Sequence, residues 1–138
     1  MNEKVNRKPS DFDWVSVRGG CSIRQMFEEL KLGITQDVAA INKHRRPMSE
    51  QVHTFKIVGD NKLIKVFEDD SYSDDAPSIL FVLAGNVIKV KDGETGKVAF
   101  DISISLNDEG DCRFTVEGKE QDSWQVRRRA LEGIFFRP

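Results

Sequence analysis

Residues 78–91, SILFVLAGNVIKVK, decide how this chain folds. Two apolar runs with a period of two meet at Gly85-Asn86, a pair suited to the tight turn between antiparallel strands. The stretch therefore predicts a β-hairpin. Its first run, Ile79 to Leu83, is apolar on both sides, which puts it in the middle of a sheet or against something on its second face. The same pattern recurs on either side. HTFKIVG (53–59) and KLIKVFE (62–68) are joined at Gly59-Asp60-Asn61, and KVAFDISISL (97–106) and CRFTVEG (112–118) are joined through NDEGD (107–111). Three successive hairpins give an antiparallel sheet of about six strands. In the fifth strand Val98, Phe100, Ile102, Ile104 and Leu106 share one side, while Ala99, Asp101, Ser103 and Ser105 share the other. One sheet face is thus expected to be buried and the other wet.

Upstream and downstream of the sheet the apolar period changes to that of a helix. Ser22 followed by Gln25 reads as a capping box, with Cys21 and Met26 at the positions of a hydrophobic staple. Ile23, Met26, Phe27, Leu30, Ile34, Val38 and Ile41 then fall in one arc, and the helix is expected to run to about Arg46 before Pro47 stops it. A closing helix begins at Asp122, with Gln125 as its capping-box partner. With a single apolar sheet face to cover, both helices are expected side by side on it, making a two-layer α+β sandwich. Residues 1–12 are expected to form a flexible leader and residues 13–138 a single domain, in which FDWVSV (12–17) adds a short strand or an apolar plug. The order helix, strands, helix is similar to that of frataxin-like domains. The similarity is one of element order, so it implies a fold and no functional residue. In size, mild acidity and mixed content the chain is also similar to small type III secretion chaperones, although residues 68–77 do not supply the helix those proteins place between strand sets.

A chain of 138 residues that is 38% hydrophobic is enough for one core. No apolar run reaches the roughly 20 residues of a membrane span, and the start lacks the apolar segment of a signal peptide. Cys21 and Cys112 lie far apart in sequence and form no metal-type pair, which reads as two free thiols and makes the cytoplasm the expected location. Residues 1–50 hold 9 Lys/Arg against 7 Asp/Glu, residues 51–121 hold 8 against 14, and residues 122–138 hold 4 against 2. Basic helical ends and an acidic stranded middle predict an electrically two-sided molecule. That division favours a polar partner and disfavours a nucleic-acid surface, despite Lys43, Arg45, Arg46, Arg128 and Arg129.

The residues that break local rules are the candidate site. At roughly 100° per residue, Trp124, Leu131, Ile134 and Phe135 form one stripe of the closing helix, and Arg127 falls inside it. A partly desolvated guanidinium needs an acceptor. The first helix offers one, because Gly33, Asp37, Ala40 and His44 form a second seam, with small residues where another backbone can approach. Asp37 is the expected partner of Arg127, either in a structural ion pair or, with His44 and His53, in a ligand pocket at one end of the helix layer. Cys21, near Arg18 and Arg24 at a helix start, has surroundings that favour a thiolate, weighed against its place in the staple. The glycines of RGG (18–20) read as a turn before that helix, without the pattern of a phosphate-binding loop. The acidic loop 68–75, with Glu68, Asp69, Asp70, Asp74 and Asp75, is a candidate for cation binding or partner docking, though it lacks the ligand order of a calcium loop. If the closing helix continues past Gly133, Val126 and Phe136 project outward and, with Arg137, form an interaction surface; if Gly133 ends it, the tail folds back and buries both Phe135 and Phe136.

No nucleophile, base and orienting group occur together, and no cofactor or metal is called for. The expected function is a non-catalytic binding or adaptor domain, acting through a protein partner or through self-association as a dimer. The alternative is a small-ligand-binding protein or an enzyme, with a pocket at one end of the helix layer formed by Asp37, His44, His53 and Arg127. Nucleic acid and a membrane are not expected partners.

Overall fold

A computed structural model describes residues 9–45, 54–69 and 76–137. Helix α1 (Trp14–Gly20) and helix α2 (Ile23–Arg45) precede seven strands: β1 (Phe55–Gly59), β2 (Leu63–Glu68), β3 (Ser78–Ala84), β4 (Val87–Asp92), β5 (Val98–Leu106), β6 (Cys112–Val116) and β7 (Lys119–Gln121). Helix α3 (Ser123–Phe135) closes the chain. Every strand pairs antiparallel with the next, so the sheet is a simple meander in the order β1 to β7. The molecule is the expected α+β sandwich, with α2 and α3 together on one face of the sheet.

The register explains the core. Ile64, Phe81, Val90 and Phe100 lie opposite one another across β2 to β5, as do Ile88 and Ile102, and all are buried beneath the helices. From above, Phe27, Leu30 and Ile34 of α2 and Val126, Leu131 and Ile134 of α3 complete the same cluster. The helix layer is also pinned to the sheet edge by a side chain. Asn42 Nδ2 donates to the Phe55 carbonyl at 2.9 Å, and Asn42 Oδ1 accepts from the Phe55 N–H at 2.8 Å, so one amide supplies β1 with the two bonds a further strand would make. Asn42→Ala is expected to cost about 1–3 kcal/mol, the range for orphaning buried backbone groups, as read by urea denaturation.

Several elements differ from the sequence reading. FDWVSV is neither strand nor plug: Asp13 accepts from both the N–H and the hydroxyl of Ser16, which starts α1 despite the β-branched Val15 and Val17. The RGG glycines lie in the last turn of that helix and not in a turn before α2. The seventh strand is polar and only 3 residues long, so it carries no alternation to be seen; it follows a tight turn in which Glu117 and Gly118 both have positive φ. Cys21 and Cys112 are not free thiols. They form a disulfide that joins the α1–α2 junction to the start of β6, with a Cα–Cα distance of 5.5 Å, and Cys21 therefore has no thiolate to offer. The acidic excess of residues 51–121 lies mainly in the connections, at Asp60, Asp69, Glu94, Asp108, Glu109 and Glu117, whereas the helix-free sheet face carries Lys56, Lys65, Lys89 and Lys91. The strands themselves are thus not the acidic surface that the regional counts suggest.

Candidate functional site

The α2–α3 seam is where the rule-breaking residues meet. Gln125 Oε1 accepts from the Asp122 N–H at 2.7 Å, and Arg113 holds the Asp122 carboxylate at 2.8 Å, so the first turn of α3 is fixed at the end of the sheet. One turn on, Arg127 leans across to α2. Its Nη1 donates to Asp37 Oδ1 at 3.0 Å and to the Gly33 carbonyl at 2.8 Å, while Nε donates to the Ser123 carbonyl at 3.3 Å. What the small residue at position 33 admits is therefore a guanidinium and not a backbone. The Arg127 side chain is 14% exposed and that of Asp37 33% exposed. Partial burial raises the Asp37 pKa above its ordinary value, against the opposing pull of the Arg127 charge and hydrogen bond.

Beside this pair an open groove of ≈ 480 Å³ runs between the two helices. Ile41, Leu131 and Phe135 give it an apolar floor, and Asp37, Arg127 and His44 lie on its walls. Trp124 and Phe136, 53% and 63% exposed, mark its aromatic rim. Phe136 caps α3 and meets the His44 ring edge-on at 6.5 Å, while Phe135 turns inward against Phe55 at 4.9 Å. The adjacent phenylalanines thus serve opposite sides of the layer. Arg137 is exposed just beyond them.

One of the expected site residues behaves differently. Val126 is fully buried and belongs to the core, with no part in an outer surface. Counting from Val126, Ala130 and Ile134 recur at i+4 and i+8 and define the core side of α3, whereas Trp124 lies roughly 120° from the middle of that stripe at Ala130. Including the small Ala130 in the stripe rotates the core assignment to this position. His53 lies outside the described residues, so only Asp37, His44 and Arg127 are brought to the groove. Sequence reasoning misses Trp124 as a rim residue because its size ranks it as a core anchor.

The other candidates are occupied by internal contacts. Glu68 pairs with Arg45 at 3.2 Å and Asp69 with Lys56 at 3.7 Å, while residues 70–75 of the acidic loop lie outside the described residues. No group of three His, Cys, Asp or Glu side chains suited to a metal occurs among the described residues. Asn107 closes the NDEGD turn by accepting from the N–H groups of Glu109 and Asp111. Of the basic cluster, Arg128 pairs with Glu132 at 3.2 Å, and Arg129 pairs with Glu117 at 3.0 Å while lying over the Phe100 ring. Arg46 lies outside the described residues. No described helix is long and apolar enough to cross a membrane. No protein-family model, curated protein or solved structure matches the chain.

Proposed function

We propose that the chain is a non-catalytic binding domain that takes apolar side chains of a protein partner, or of a second copy of itself, into the groove between α2 and α3. The observation that carries this reading is the pair of exposed aromatics, Trp124 and Phe136, at the rim of an apolar groove. Large aromatic side chains around a dehydratable apolar floor are the usual energetic centre of a protein contact. The role of the Asp37–Arg127 pair is then structural, since it locks the helices at the spacing that keeps the groove open. Size-exclusion chromatography with light scattering tests the self-association half. A mass that rises with concentration in the wild type and stays monomeric in Phe136→Ala supports it, and a strict monomer at every concentration removes it.

A small ligand in the same groove is the second reading. Its volume of ≈ 480 Å³ falls in the range that encloses drug-sized molecules, and Asp37, His44 and Arg127 add polar groups to an apolar lining. A fragment screen by NMR separates the readings. Shifts confined to the Trp124 indole and His44 ring signals support a ligand site, and silence at both removes it. The cross-link, and not the groove, bears on the compartment. A disulfide persists where the surroundings are oxidising, which favours an extracytoplasmic place of work over the cytoplasm expected from sequence.

A further inference from the structure

The helices cover one face of the sheet, and the other face of β1 to β4 has an unusual composition. In register, Val58, Lys65, Leu80 and Lys91 form one cross-strand row, and Leu63, Val82, Lys89 and Asp101 form the next. At about 4.8 Å between strands, the first row alternates aliphatic and cationic groups across some 15 Å, while the second runs from two aliphatic groups to Lys89 and then, on β5, to its partner Asp101. Val58 and Leu63 are 53% and 37% exposed. Lys56 and Lys89 have carboxylates at 3.7 and 3.6 Å, in Asp69 and Asp101, but Lys65 and Lys91 have no salt-bridge partner among the described residues. The face therefore combines bare aliphatic surface with uncompensated positive charge in one plane.

Three kinds of occupant fit this badly. A second copy set face to face would bring lysine against lysine. A protein interface is depleted in lysine at its centre, where this face has most of it. Single-stranded nucleic acid needs open aromatic planes, and the one aromatic here, Phe67, already has the Lys65 ammonium 5.2 Å from its ring centroid. An anionic bilayer surface fits both components, since aliphatic side chains enter the headgroup boundary while lysines on flexible stems stay at the phosphate level. We infer that the helix-free face of β1 to β4 docks peripherally on membranes rich in anionic phospholipid. This contact differs from a membrane span, and it uses none of the residues of the helix groove.

Vesicle co-sedimentation of the full chain tests the inference. Binding is expected to vesicles of phosphatidylcholine mixed with phosphatidylglycerol and not to phosphatidylcholine alone. Raising the salt from about 0.1 M to about 1 M, which shortens the screening length from about 10 Å to about 3 Å, should release the protein. Lys65→Glu with Lys91→Glu should weaken partitioning on the order of 100-fold, and Val58→Ser with Leu63→Ser by roughly 10-fold, with unchanged circular dichroism as the control for folding. If charge reversal disturbs the fold, Lys65→Gln with Lys91→Gln should still weaken binding. Partitioning that ignores lipid charge, or that survives the lysine changes in folded protein, overturns the inference. Binding to polyuridylate that is indifferent to the Val58 and Leu63 changes, without vesicle binding, would replace the membrane with a nucleic-acid backbone. Phe136→Ala should leave vesicle binding unchanged, which keeps a failure here distinct from a failure of the groove.

Discussion

Replacing Cys21 and Cys112 together by serine is expected to lower stability by about 3–4 kcal/mol, and the melting temperature by roughly 10–15 °C for a chain of this size. The cross-link spans 91 residues of sequence, and in the chain-entropy account a loop that long removes much of the freedom of the unfolded state. Since a domain of this length has a total stability of only about 5–15 kcal/mol, the change is a large share of it. The loss should also be uneven. Helix α1 buries no residue of its own and is tied to the sheet through the Cys21 end, so its amides should exchange with solvent first in the serine variant. Melting the wild type with and without reductant, alongside a count of free thiols, checks the effect. A melting temperature indifferent to reductant, with both thiols titratable throughout, would show that the bond is not made in solution.

That disulfide marks the boundary of what the sequence makes legible. Hairpins are local, so Gly85-Asn86 and the alternation around it are enough to position β3 and β4, and the same grammar sets β1, β2, β5 and β6. A contact between residues 21 and 112 is not local: two lone cysteines carry no spacing signal, and only the packing of α2 over the sheet brings them together. The site is legible to the extent that its chemistry forces a partner. Arg127 on a core-facing stripe requires an acceptor, and a small-residue seam containing Asp37 points to it across 90 residues. Val126 misleads for the opposite reason. Its hydrophobicity suits either side of α3, and the choice turns on whether a large exposed Trp124 or a small buried Ala130 marks the core. The groove itself is a shape between two helices, and no pattern within either helix encodes it.

The second large effect is expected at Arg127. Arg127→Ala should cost about 2–3 kcal/mol, less than for a fully buried ion pair because a third of the Asp37 side chain still meets water. The cost should depend on pH with a definite sign. Burial already raises the Asp37 pKa in the folded state, and Arg127 is the opposing influence. A carboxyl with a raised folded pKa holds its proton more tightly folded than unfolded, so its contribution to stability is greatest in acid and falls as pH rises through the folded value. Removing Arg127 lifts that value further and extends the falling window upward. Urea midpoints should therefore show a larger deficit for Arg127→Ala near pH 7 than near pH 4, with Asp37→Asn in the same chain restoring much of the loss at neutral pH. An equal deficit at both pH values would mean that Arg127 acts through its stem packing and not through its charge.

The same pair predicts that one substitution changes sign with its background. An ideal Cβ at Gly33 would lie 2.7–2.8 Å from Nη1, Cζ and Nε of Arg127, the nearest atoms to it. The end of an arginine normally moves aside cheaply, but this one is held by the carbonyls of Gly33 and Ser123 and by the Asp37 carboxylate. Gly33→Ala must expel it, so the gain of about 1 kcal/mol in helix propensity is outweighed and a net loss of about 1–2 kcal/mol is expected. In the Arg127→Ala background the clash and the bonds are both gone, and Gly33→Ala should instead stabilise α2 by about 1 kcal/mol. Four urea curves close the cycle. A destabilising Gly33→Ala in both backgrounds would place the constraint at Gly33 in something other than the guanidinium. A stabilising one in both would mean that Arg127 leaves the seam at little cost, and the Asp37–Arg127 pair would then not be what holds the two helices at groove spacing.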